Sequence, residues 1–122
     1  MTVSVTLLPG AADWLCGCAV MLGAVGWVSG LTSAFPREAV AMFRLARAGR
    51  YAEALAIYRW FMPLLHLDSI PTLVQCIKLV SSLAGRGTEK TRAPRLALVG
   101  EARAHVLRIT GAALAQRPKL PA

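Results

Sequence analysis

The run Trp14-Leu-Cys-Gly-Cys-Ala-Val-Met-Leu-Gly-Ala-Val-Gly-Trp-Val-Ser-Gly-Leu-Thr-Ser-Ala-Phe35 carries no charged residue, and the way it is read decides the fold. Its length alone matches a membrane span of about 20 apolar residues. Gly17, Gly23, Gly26 and Gly30 break that run into short pieces with little helical propensity, and Ser29, Thr32 and Ser33 interrupt it further. The Gly26 to Gly30 spacing fits a helix-dimerisation pattern that also arises often by chance. Nothing basic precedes the stretch, as a secretory signal would require. The better reading is a helix from Asp13 to Leu22, stopped at Gly23, followed by a buried strand over Val25 to Ser29. Asp13 would favour the start of that helix by capping or by its charge.

Upstream, Val3, Val5, Leu7 and Leu8 form a β-rich run closed by the turn pair Pro9-Gly10. Strand, helix and strand within about 30 residues make one βαβ unit of a parallel sheet. Two parallel strands leave both edges and both faces uncovered, so residues 1–36 need something to complete them.

From residue 37 onward the pattern becomes helical. Pro36 and Glu38 suit a helix start and Gly49 its stop, with Val40, Phe43 and Leu45 between them. Tyr51, Leu55, Tyr58, Met62 and Leu65 define one face of a second helix, with Pro63 near its end. A third opens at Pro71 and shows Leu73, Val74, Ile77, Val80 and Leu83 before Gly85. Residues 85–94 read as a polar loop, a last helix runs from Glu101 to Ala115, and the basic tail after it is expected to fray.

A 56% hydrophobic content excludes a disordered chain. Fourteen Lys and Arg against six Asp and Glu give a net charge of +8, but the arginines are scattered along helices and loop without interleaved aromatics. A solvated basic surface is therefore expected, with no nucleic-acid partner. Cys16, Cys18 and Cys76 are an odd set, and His66 and His105 lie far apart, so no metal site and no cofactor are expected. Unpaired thiols point to a reducing cytoplasm.

The stretch Gly23-Ala-Val-Gly-Trp-Val-Ser-Gly30 with Leu31-Thr-Ser-Ala-Phe-Pro36 resembles the last barrel strand, and the loop after it, of the dihydrodipicolinate synthase and N-acetylneuraminate lyase family. Leu45-Ala-Arg-Ala-Gly-Arg-Tyr-Ala-Glu-Ala54, Met62-Pro-Leu64 and Arg92-Ala-Pro-Arg-Leu96 resemble successive landmarks of the same family in the same order. The resemblance implies an α/β fold: residues 1–36 as the last two strands of a (β/α)8 TIM barrel, and residues 37–122 as the last barrel helix and a helical extension. It implies a lyase or aldolase that binds a 2-oxo acid as a Schiff base on a lysine, with a tyrosine relaying protons, and a homotetramer when intact.

Lys78, Lys90 and Lys119 stand in a helix, a loop and the tail, where a solvated surface role is expected rather than Schiff-base chemistry. Tyr51 and Tyr58 read as packing residues. The chain is thus expected to contribute pocket wall and no catalytic group, and to be inactive without the remaining barrel. By resemblance, Val28 matches the eighth-strand position whose backbone faces the lysine, Ser29 and Gly30 follow it, and Gly10 matches the glycine ending the seventh strand. Family members often place acids after that glycine; here Ala11 and Ala12 follow. A tight turn is the competing role for Gly10 and Gly30. His66 and Asp68, two residues apart at a helix end, read as a structural cap.

Within the family, Tyr58-Arg-Trp-Phe-Met-Pro-Leu-Leu-His-Leu-Asp-Ser69 and Leu73-Val-Gln-Cys-Ile-Lys-Leu79 look closer to the branch that deaminates 1-pyrroline-4-hydroxy-2-carboxylate, with Asp68-Ser-Ile-Pro71 in place of the synthase's Asn-Pro segment, and 4-hydroxy-tetrahydrodipicolinate synthase is the other activity the resemblance implies. The alternative function is a small basic helical interaction module, associated with a membrane through the glycine-rich stretch.

Overall fold

The computed structural model describes residues 13–121. A 3-10 turn at Asp13–Leu15 leads into a short α1 (Cys16–Met21), and a second turn at Leu31–Ser33 leads into α2 (Pro36–Arg47). α3 (Tyr51–Leu65) runs into a turn at His66–Ser69, followed by α4 (Leu73–Leu83) and α5 (Gly100–Ala115). Among the described residues there is no strand, so the eighth-strand reading of Val25 to Ser29 is corrected: that segment is irregular. A strand exists only as part of a ladder, and nothing in the described chain lies alongside this segment to pair with it. The strand expected over Val3 to Leu8 lies outside the described residues. No described helix is long and apolar enough to cross a membrane.

Local chemistry places the helix ends where expected. Pro36 occupies the first turn of α2 with its fixed φ and missing N–H. Gly49 (φ 75°) and Gly85 (φ 74°) follow α2 and α4 in the left-handed conformation that stops a helix. Three residues separate α2 from α3, which makes the pair a helical hairpin.

The faces differ from expectation. On α3 the buried residues are Ala54, Ile57, Phe61, Leu64 and Leu65, whereas Tyr51 and Leu55 are exposed. On α2 Ala39, Met42 and Leu45 are buried, and Val40 is exposed. On α4 the buried set is Cys76, Leu79 and Val80, and Leu83 is exposed. Apolar residues also stand on the outward sides of these helices, as Val40, Leu55 and Leu83 do, so periodicity identifies the helix without fixing which stripe turns inward.

Leu31, Ala34 and Phe35 are wholly buried and plug the bundle from its N-terminal side. Phe35 meets Trp60 and Phe61 edge-on, at centroid distances of 5.3 and 5.9 Å, and each such pair contributes about 0.5–1.5 kcal/mol beyond its buried area.

The tail does not fray as expected. Arg117 pairs with the buried carboxylate of Glu38, its guanidinium carbon lies 5.4 Å from the Phe35 ring centroid, and Leu120 packs against the core. Burial would raise the Glu38 pKa, but the hydrogen bond and charge of Arg117 outweigh it and hold the carboxyl below its ordinary value.

Candidate functional site

The segment that precedes α2 is organised by one carboxylate. Asp13, 1% exposed, accepts hydrogen bonds at Oδ2 from Ser29 Oγ and, at 3.4 Å, from the Leu31 N–H. It does not cap the following helix, as its sequence position suggested; it reaches across to the far side of the glycine-rich run. Its own N–H donates to Asp68 Oδ2 at 3.2 Å, which ties the cluster to the turn after α3. Burial, with a smaller contribution from the Asp68 charge, raises the Asp13 pKa against the lowering effect of the Ser29 and Leu31 bonds.

Neighbouring contacts brace this hub. The Trp14 indole donates to Ser69 Oγ at 2.8 Å, and the Tyr58 hydroxyl donates to the Trp14 carbonyl at 2.5 Å. Tyr58 thus acts as a bracket between α3 and the Asp13 turn. Thr32 N–H donates to Ser29 Oγ at 3.3 Å, and Ser33 Oγ donates to the Gly30 carbonyl at 2.6 Å.

Of the residues expected to form pocket wall, Val28 is 65% exposed, Ser29 is half-buried and Gly30 is exposed; Gly10 lies outside the described residues. Gly30 has φ −79°, a conformation open to any residue. What crowds it is α4, because a Cβ there would lie 2.8 Å from Ile77 Cδ1. Val28, Ser29 and Gly30 are consecutive, and the structure adds Asp13 beneath them.

Sequence reasoning read Asp13 as a helix cap.

His66 and Asp68 do not meet: His66 is exposed with its ring against Trp14 at 5.8 Å, and Asp68 serves the Asp13 backbone. Lys78 is half-buried on α4, and Lys90 and Lys119 are exposed. Among the described residues no three His, Cys, Asp or Glu side chains group as a metal site. All three cysteines are free thiols; burial pushes Cys16 up to about 11.

Comparison with known proteins gives these features a setting. The Dihydrodipicolinate synthetase family model matches residues 2–113. A 4-hydroxy-tetrahydrodipicolinate synthase of Acidobacterium capsulatum is 32% identical over 92 residues, covering 75% of this chain and 30% of that protein. One of Phocaeicola vulgatus is 37% identical over 75 residues, 62% of this chain and 25% of that protein. The crystal structure of dihydrodipicolinate synthase from Rhodopseudomonas palustris superposes with a TM-score of 0.78 at 22% identity, over 88% of this chain and 36% of that one. The bundle therefore shares its fold with a segment of that synthase. The chain belongs to the dihydrodipicolinate synthetase family, and it spans about a third or less of the length of the relatives it matches.

Proposed function

We propose that this chain is the closing segment of a Schiff-base lyase barrel acting on 2-oxo acids: residues 1–36 finish the barrel, and residues 37–122 are its last helix and helical extension. Val28, Ser29, Gly30 and Gly10 supply pocket wall, while the lysine that forms the Schiff base and the tyrosine that relays protons come from barrel strands outside these residues. The observation that carries this is the exposure of Val28 directly beside a buried polar anchor at Asp13 and Ser29. An apolar residue left open beside a fixed support is what an unfinished barrel lip presents, since barrel pockets are built where the strands end. The intact enzyme is read as a cytoplasmic homotetramer, in keeping with free thiols.

Within the family we read the activity as deamination of 1-pyrroline-4-hydroxy-2-carboxylate, on the strength of Asp68-Ser-Ile-Pro71. These residues lie in the turn after α3, so they speak to ancestry and leave the substrate to the pocket.

Two measurements test the proposal. The chain alone, incubated with pyruvate and borohydride, should keep its mass; an adduct on Lys78, Lys90 or Lys119 would overturn the assignment of the lysine. Coexpression with the upstream barrel should restore trapping, and ammonia release should exceed condensation of pyruvate with aspartate semialdehyde. Condensation without deamination would place the enzyme with the synthases.

A further inference from the structure

We infer that Asp13 is the positioning residue of the pocket wall, holding the backbone from Val28 to Leu31 in place through Ser29 Oγ and the Leu31 N–H; this rests on the reading of Val28 to Gly30 as wall. An acid that is 1% exposed has given up its hydration, a cost that the bonds at Oδ2 offset only in part, since Oδ1 is buried without a partner among the described residues. Both hydrogen-bond partners of its Oδ2 flank Gly30, one residue to either side. Buried polar groups that meet nothing but the backbone and side chains of one short segment fix that segment's course.

The hub is itself immobilised. Its N–H is held by Asp68 and the next residue's carbonyl by Tyr58, so its reference frame is the middle of α3 and the turn after it. On the opposite side Ser29 is bonded by Thr32, whose own hydroxyl donates to the Ser29 carbonyl at 3.2 Å. Ile77 presses on Gly30 from α4. The segment is thereby pinned from three elements, while Val28 stays open. An anchor that is buried while its neighbour is exposed acts through that neighbour, in the way that outer hydrogen-bond partners orient groups that meet a ligand.

The tests separate this inference from the family reading on which it rests. In the 122-residue chain, Asp13→Ala should speed amide exchange at Leu31 and Thr32 at least about tenfold and leave Val106 on α5 unchanged. Asp13→Asn, which keeps an acceptor oxygen, should recover most of that protection. Unchanged exchange at Leu31 in Asp13→Ala would overturn the clamp whatever the enzyme does. In the complete barrel, Asp13→Ala and Ser29→Ala should each lower kcat about tenfold with KM within about twofold, and the double variant should be no worse than either. A barrel with native Asp13 that traps no pyruvate defeats the Schiff-base lyase reading and leaves the exchange result to decide the clamp. A raised KM at unchanged kcat would mean that Asp13 meets substrate directly, and an unchanged kcat and KM would mean that it positions nothing; either overturns the inference.

Discussion

Gly30 and Ile77 are in closer contact than any side chain at position 30 allows: a Cβ built there would stand 2.8 Å from Ile77 Cδ1. The obstructing atom is the tip of a flexible side chain, so Gly30→Ala should be accommodated at about 1 kcal/mol, the low end for overpacking. Ile77→Val removes that tip. Urea denaturation of the two single variants and the double should show the Gly30→Ala penalty falling close to zero in the Ile77→Val background. Strict additivity would place the crowding elsewhere.

Thiol chemistry should distinguish the three cysteines. Cys18 is exposed, whereas Cys16 and Cys76 are buried with their pKa values raised by burial. A thiolate-specific reagent near pH 8 should label one equivalent rapidly, at Cys18, and the other two only after unfolding. Peptide mapping that found rapid labelling at Cys16 would show that α1 opens.

Two buried carboxylates should give stability opposite pH slopes. Glu38 has a lowered pKa, so its contribution is present above its ordinary value of 4.5 and is lost as pH falls through the folded value. Asp13 has a raised pKa, so its contribution is complete below 3.8 and is lost as pH rises through the folded value. Glu38→Gln should cost about 1 kcal/mol at pH 7, a low figure for a charged hydrogen bond because solvent screens the 40% exposed Arg117. That cost should shrink in acid, and Asp13→Asn should flatten the slope above pH 4. Thermal melts from pH 3 to pH 8 decide both.

The chain alone should self-associate. Met21 is 74% exposed, Leu22 79% and Val28 65%, and uncovered apolar side chains of this kind favour association. Met21→Lys with Leu22→Lys should shift the sedimentation profile toward monomer, while hydrogen exchange should find the helices after Pro36 better protected than the segment before it.

Helix boundaries were legible because single residues set them: Pro36 by its ring, Gly49 and Gly85 by their positive φ. The inward faces were not, since α3 offers Tyr51, Leu55 and Tyr58 on one side and Ala54, Ile57 and Phe61 on another, and only tertiary packing selects between them. The strand at Val25 to Ser29 was misread for a related reason: apolar β-branched composition signals burial, while strand geometry depends on a partner. Val28, Ser29 and Gly30 enter as pocket wall through the resemblance alone. Asp13 was missed because its partners lie 16 and 18 residues away, a distance at which no local rule operates.

The Arg117 to Glu38 pair bears on where this unit may be cut. A boundary drawn by helix content would stop at Ala115, the last residue of α5. Such a cut would strip Glu38 of its cation and Phe35 of its cover, leaving an acid stranded inside the first turn of α2. The smallest unit that keeps both the Arg117 to Glu38 pair and the packed leucine extends through Leu120, so a purification handle or fusion partner belongs beyond that leucine, on a linker long enough to let it stay seated.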